Sequence, residues 1–383
     1  MSPTQPTDAP ASTEITRPTR LLVALPALDE AATISRVVSA VPRELPGIHE
    51  ISILVVDDGS MDDTGSIARD AGAHVIRHVR STGVGAAFRT ALNHALEMDV
   101  DFLVTIDADG QFDPRDISLL SHPVISDEFD FASASRFKDP TLTPRMPWIK
   151  RWGNRQMSRL ISQLTRHQFF DVSCGMRCYN RRAMLNLNLM GAYTYTQEVF
   201  LNLAFKQLRI IEVPIAVRGV REHGKSRVVD SLWVYGFRAL RIILAAYRDY
   251  NPMRFFGGMA IALFLPAVFL ALFLGLHYMR SGSFSPHKWA GFVSAALLSL
   301  SILLTHVGLI GDMLNRHRVY LEELLFYSRT NGAAKDALNR QRTEFVSSDR
   351  TDERLHPGQS HGRQTLHARE ESPQPSKTPA RTE

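Results

Sequence analysis

The chain has 383 residues, of which 44% are hydrophobic, 22% charged and 9% aromatic. That composition supports a packed core and excludes a wholly disordered, collagen-like or disulfide-scaffold protein. Lys and Arg total 44 against 39 Asp and Glu, a net charge of +5 that is too small for this length to indicate nucleic-acid binding by itself.

Residues 1–20 are rich in Pro, Thr and Ser and contain no apolar run, so a loose leader is expected there rather than a secretory signal. From about 21 to 220, short apolar runs alternate with amphipathic stretches. LLVALP (21–26), ISILVV (51–56), HVIRHV (74–79) and FLVTI (102–106) read as buried strands, and 30–41 and 85–97 as helices. This alternation predicts a mainly parallel α/β sheet. Chemistry in such sheets gathers at the C-terminal strand ends, here just after Pro26, Val56 and Ile106.

Residues 255–279 and 289–311 contain no Asp, Glu, Lys or Arg. Each exceeds the roughly 20 residues needed to cross a bilayer, and the short link between them predicts a transmembrane hairpin. Arg238, Arg241, Arg248 and Arg254 precede the first run and Arg316, Arg318 and Arg329 follow the second, while the tip has only Arg280 and Lys288. That bias places both flanks, and the α/β domain, in the cytoplasm. The segment 231–254 mixes apolar residues and arginines at helical spacing. It reads equally as a juxtamembrane helix in the bilayer interface or as an amphipathic helix packed on the domain. His277 and His306 fall within the apolar runs, and His306 is expected to face the partner helix. The polar stretch 331–383 is expected to be a disordered tail. The two cysteines, Cys174 and Cys178, cannot build a disulfide framework and suit a reducing compartment.

Asp107 and Asp109 flank Ala108 where the run 102–106 ends, and residues two apart on extended backbone project to one side. Paired carboxylates repel unless a cation joins them. Their hard oxygens suit Mg²⁺ or Mn²⁺, which complete their shells with phosphate and water. A second acidic loop, VVDDGSMDDTG (55–65), supplies Asp57, Asp58, Gly59 and Ser60; it suits a base or ribose edge, or simply a turn and helix cap. STGVGAAF (81–88) has Phe88 where a dinucleotide fingerprint needs a small residue, which rejects that motif. Arg136, Arg221, Lys225 and Arg227 offer groups that pair with phosphate oxygens. Asp171, Cys174 and Glu198 are candidates to act on an acceptor or to shape the site.

In order, LPALDE (25–30), VVDDGSMDDT (55–64), DADGQ (107–111), SRF (135–137), DVSCGMRCY (171–179), EVPI (212–215) and REHGKSR (221–227) resemble family 2 glycosyltransferases. The likeness covers about 21–230 and is nearest to the dolichyl-phosphate mannose synthase and polyprenyl-phosphate glycosyltransferase branch. It implies a Rossmann-like GT-A domain over 21–230, followed by the two-helix membrane hairpin. By resemblance, Pro26, Leu28, Glu30, Val56 and Asp58 line the base and ribose. Asp107, Ala108, Asp109 and Gln111 hold the diphosphate, with Asp107, Asp109 and Gln111 holding a Mg²⁺ or Mn²⁺ ion. Arg136, Arg221 and Arg227 meet the lipid phosphate. The family often has an aromatic residue where Leu28 stands and Asn where Asp29 stands. The Q-x-x-R-W signature of processive synthases is absent, which argues against repeated chain extension.

The implied reaction is inverting transfer of a sugar from a UDP- or GDP-sugar to undecaprenyl or dolichyl phosphate, at the cytoplasmic face of the cell membrane and without nucleic acid. Asp107, Asp109, Arg136 and Asp171 are the catalytic candidates. Three alternatives remain: a saccharide hydroxyl as acceptor with Asp171 as base, a non-catalytic partner in sugar-lipid translocation, and a nucleotidyltransferase on a similar sheet, which would release diphosphate rather than nucleoside diphosphate. The hairpin is also compatible with a homo-oligomer.

Overall fold

Strand β1 (Arg20–Ala27) is apolar almost throughout because both of its faces are covered. Leu21, Val23 and Leu25 enter one hydrophobic cluster and Leu22 and Ala24 the other, all at 1% exposure or less. The computed structural model describes residues 17–189, 195–219, 240–241, 244–245 and 247–355. Within them β1 joins β2 (Glu50–Asp57), β3 (His74–Arg77), β4 (Phe102–Thr105), β5 (Phe131–Ser135), β6 (Arg177–Asn180) and β7 (Ile210–Pro214) in one sheet, ordered β3-β2-β1-β4-β6-β5-β7. All neighbours are parallel except β6, which runs antiparallel to both β4 and β5.

The expected parallel sheet is therefore present with one reversed strand. β6 is illegible in the sequence because it is four residues long and carries Arg177 and Asn180. Arg177 is fully buried: its guanidinium donates to the carbonyls of Cys174, Val172 and Thr196 and faces the rings of Phe131, Tyr195 and Phe200.

Helices α1 (Ile34–Ser39), α2 (Thr64–Asp70), α3 (Val84–Glu97), α4 (Ile117–Ile125), α5 (Trp148–Thr165), α6 (Arg181–Asn186) and α7 (Thr196–Phe205) flank the sheet. Residues of α1, α2 and α4 close one core cluster, and residues of α3, α5, α6 and α7 close the other. Each fully buried Leu, Val, Ile or Phe contributes about 1.5–3 kcal/mol to this two-sided core.

The apolar runs lie within α8 (Pro252–Ser281) and α9 (Lys288–Leu355). Pro252 starts α8 at a position whose N–H has no helical partner in any case, and left-handed Gly282 ends it. Small residues bring the two helices together: Ser294 donates to the Ala267 carbonyl at 2.7 Å and Ser301 to that of Ala260 at 2.9 Å. Only 11% and 17% of their apolar windows are buried, unlike the core helix of a water-soluble domain.

Several expectations need correction. His306 is exposed rather than turned to the partner helix, with Nδ1 on the Ile302 carbonyl of its own helix. Within the stretch 331–383, α9 runs on as far as Leu355. The leader is tethered from Arg17, which pairs with Asp99 and Asp101. Of 231–254, residues 240–241, 244–245, 247–250 and, as the start of α8, 252–254 are helical; Arg221, Lys225, Arg227 and Arg238 lie outside the described residues.

Candidate active site

The matched registers of β1 with β2 and with β4 deliver three loops to one edge of the sheet. Hydrogen bonds then tie those loops together. Asp29 N–H donates to Ser60 Oγ at 3.0 Å and Glu30 N–H to Thr64 Oγ1 at 2.8 Å. Thr33 Oγ1 donates to the Ala108 carbonyl at 2.8 Å. Asp29 itself takes a left-handed φ of 51°, which Asp and Asn tolerate better than other side chains. This accounts for Asp standing where the resemblance leads one to expect Asn.

Asp58 is almost fully buried and turns towards the 78–83 loop. It accepts from Ser81 Oγ, from Thr82 N and Oγ1 and from Gly83 N, and lies 2.7 Å from His78 Nδ1. Burial works to raise its pKa, but these hydrogen bonds prevail and hold it below the usual value. Gly59 permits the close turn: its φ is +81°, and a Cβ there would stand 2.8 Å from the backbone of Arg80 and Ser81. Asp58 thus organises the loop beside the predicted base position. Pro26, Leu28 and Glu30 are partly exposed at the same edge, whereas Val56 is wholly within the core.

Asp107 is partly exposed and lies directly over Gly175, where a Cβ would come within 2.5 Å of its Oδ2. Asp109 is 3% exposed, and its Oδ1 accepts from Gln111 N at 3.0 Å. Gln111 Nε2 donates to the Arg218 carbonyl, leaving its Oε1 outside that bond. Among the described residues no three His, Cys, Asp or Glu side chains form a metal cage. By donor type, the two carboxylates and the amide oxygen suit a hard divalent cation that draws its other ligands from phosphate and water. A cavity of about 610 Å³ opens on the Gln111 side of this turn, lined in part by Arg36, Phe112, Arg115 and Arg218.

Arg136 follows β5 and forms a two-pronged pair with Asp171: Nε to Oδ2 at 2.6 Å and Nη2 to Oδ1 at 2.9 Å. Its Nη2 also donates to Ser173 Oγ, and Nη1 takes no part in the pairing with Asp171. Asp171 is fully buried. Burial alone would raise its pKa, and the Arg136 charge holds it low instead. Burial likewise opposes the Arg136 charge, and Asp171, with smaller help from Asp107, outweighs it. Glu212 of β7 accepts from the N–H groups of Phe170 and Asp171, both at 2.7 Å, and so fixes the loop that carries the pair.

Asp107, Asp109, Gln111 and Arg136 therefore gather at the strand-end edge, while Asp171 stands behind Arg136. Cys174 is buried and its thiol is pushed up to about 12 by burial, which removes it as a nucleophile. Glu198 is 8% exposed on α7. Sequence reasoning missed Thr33, Gly175 and Glu212 as supports. Gly175 and Glu212 fall inside motifs that carry the resemblance, and the absent side chain of Gly175 was the available signal.

The model for glycosyl transferase family 2 matches residues 22–187. The UDP-N-acetylglucosamine–dolichyl-phosphate N-acetylglucosaminyltransferase of Methanococcus voltae is 30% identical over 211 residues, covering 50% of this chain and 82% of that protein. Polyprenol monophosphomannose synthase of Mycolicibacterium smegmatis is 28% identical over 226 residues, 56% of this chain and 83% of that one. Among solved structures, glucosyl-3-phosphoglycerate synthase from Mycobacterium tuberculosis in complex with Mn²⁺ and UDP-glucose aligns with a TM-score of 0.48 and 22% identity, over 60% of this chain and 79% of that chain. The chain belongs to glycosyl transferase family 2 and is a glycosyltransferase with a GT-A α/β domain and two apolar C-terminal helices.

Proposed function

We propose that this glycosyltransferase moves a sugar from a nucleoside-diphosphate sugar to a polyprenyl phosphate at the cytoplasmic face of a membrane. The observation that carries the reading is the union, in one compact unit, of the Asp107–Asp109–Arg136 edge with two helices long and apolar enough to span a bilayer. Two relatives are named for dolichyl-phosphate and polyprenol acceptors. Helix α5 supports the same placement: Trp148 and Trp152 are 75% and 57% exposed and stand among Lys150, Arg151 and Arg155. Exposed tryptophans beside basic residues suit a membrane–water interface.

Asp107 and Asp109, with Gln111, would hold Mg²⁺ or Mn²⁺ beside the donor diphosphate. A divalent cation there offsets the negative charge that grows on the departing nucleoside diphosphate. Arg136 draws the acceptor phosphate behind the anomeric carbon, held in place by Asp171. By the resemblance, Arg221 and Arg227 join it. The acceptor oxygen is already anionic near neutral pH, so alignment and charge stabilisation are the remaining tasks. Direct displacement inverts the anomeric carbon. Asp171 offers no support for a base acting on a saccharide hydroxyl, because it is buried and both its oxygens face Arg136.

The test uses the full chain in vesicles containing undecaprenyl or dolichyl phosphate, Mg²⁺ or Mn²⁺, and labelled UDP- and GDP-sugars. Label enters the lipid phase with at least one pair, and Asp107→Asn abolishes transfer without altering the melting temperature. No lipid-phase label with any pair, or near-full activity of Asp107→Asn, overturns the reading.

A further inference from the structure

Helix α9 does not stop where its apolar run ends. Beyond Gly311 it lies along the catalytic domain, and its polar side chains converge on one seam. Asn315 Nδ2 donates to the Tyr250 carbonyl, and the Arg318 guanidinium stacks 3.7 Å over the Tyr250 ring, which itself stacks on Phe205 of α7. Arg318 lies 3.7 Å from Glu322, and Glu322 pairs with Lys206 at 3.1 Å. Lys206 Nζ also donates to the Asn186 carbonyl at 2.6 Å. One turn later Phe326 packs against the core, and Arg329 Nη1 donates to the carbonyls of Leu185 and Leu187, both at 3.1 Å.

Two cations, one from each side of the seam, thus hold three successive carbonyls, 185 to 187, where α6 ends. The side chains of Lys206, Glu322 and Arg318 are only 13%, 19% and 23% exposed. Partners so shielded are costly to separate, which distinguishes this seam from a mobile surface contact. The elements it grips also support the candidate site. The first carbonyl of α7, at Thr196, accepts from Arg177, and the same guanidinium holds the carbonyls of Val172 and Cys174 beside Gly175.

We infer that the post-membrane part of α9, through Arg318, Glu322 and Arg329 with Lys206, is a rigid strut that sets the catalytic edge at a fixed attitude to the bilayer, so that a membrane-held phosphate arrives in line with the donor. A continuous helix from Lys288 through the seam transmits the position of the hairpin directly, because no flexible joint intervenes. Lys206, Glu322 and Arg329 are positioning residues. The inference rests on the polyprenyl-phosphate reading for its activity readout alone.

The test compares wild type, Lys206→Glu, Glu322→Lys and the double exchange as full chains. Each single variant opposes like charges across the seam; the double restores a pair. Each single variant lowers kcat/KM for undecaprenyl phosphate in vesicles about tenfold, because a small misplacement of reactants is costly. Nucleotide-sugar Kd and turnover of a short-chain, water-soluble polyprenyl phosphate in detergent stay within about twofold, and the double variant recovers part of the loss, because the exchanged pair attracts but no longer donates to the Asn186 carbonyl or pairs with Arg318. Hydrogen exchange over 183–187 and 199–206 rises in both singles and falls partway back in the double, a readout that needs no acceptor. Unchanged exchange in the singles overturns the strut. So does an equal loss on both acceptors, which marks general damage. If wild type glycosylates neither acceptor while the exchange pattern holds, the substrate reading fails and the strut stands.

Discussion

Gly175 and Asp107 share one space: a Cβ on Gly175 would stand 2.5 Å from Oδ2 of Asp107 and 2.8 Å from its Cγ. The obstructed group is the end of a short side chain rather than backbone, so the fold tolerates the intrusion by moving the carboxylate. Gly175→Ala is therefore expected to melt close to wild type yet to lose about 10²-fold in kcat, the scale of a misplaced reacting group. Activity near wild type would mean that the carboxylate's position over Gly175 is immaterial.

Gly59 presents the opposite case. Its φ of +81° and the Arg80–Ser81 backbone 2.8 Å from a would-be Cβ leave nothing that can yield cheaply. Gly59→Ala is expected to destabilise by about 1–3 kcal/mol, measured as a shift in denaturant midpoint at constant slope. An unshifted midpoint contradicts the turn as described.

Asp58 ties down residues 78–83 through its carboxylate. In Asp58→Asn one oxygen becomes a donor facing donors, which leaves buried partners unsatisfied at about 1–3 kcal/mol. Calorimetry should show weaker nucleotide-sugar binding together with lower stability. Lower stability with unaltered binding would separate this loop from the donor site.

The Arg136–Asp171 pair is buried enough that removing one member strands the other. Arg136→Ala is expected to cost about 3–5 kcal/mol. Adding Asp171→Ala should cost much less than the sum, with a coupling of about 0.5–3 kcal/mol in a double-mutant cycle. Additive losses would show that the two side chains do not depend on each other.

Asp130 anchors a second pair away from the site. Burial would raise its pKa, but hydrogen bonds from Arg209 and Asn180 push it down to about 2. A depressed carboxyl favours the fold above its unfolded pKa of 3.8, and the contribution disappears as pH falls towards 2. The melting-temperature gap between wild type and Asp130→Asn should therefore be full at pH 6 and shrink between pH 4 and 2. A gap independent of pH in that window contradicts the assignment.

The sequence by itself determined the layers, the strand ends that bring the candidate residues to one edge, and the two apolar helices. Doubly buried strands need unbroken apolar runs, catalytic loops sit at strand ends, and a span needs about 20 uncharged residues. Each of these is a local pattern, so Leu21–Pro26, Asp107–Asp109 and 255–279 were legible from neighbours along the chain. Only tertiary structure decided that β6 runs backwards, that Asp171 is held by Arg136 rather than available as a base, and that α9 lies against α6 and α7. Those outcomes depend on which distant groups meet: Gly175 under Asp107, Glu212 under Asp171, Glu322 beside Lys206. A buried charge takes its role from its partner, and the identity of that partner is set by packing rather than by spacing along the chain.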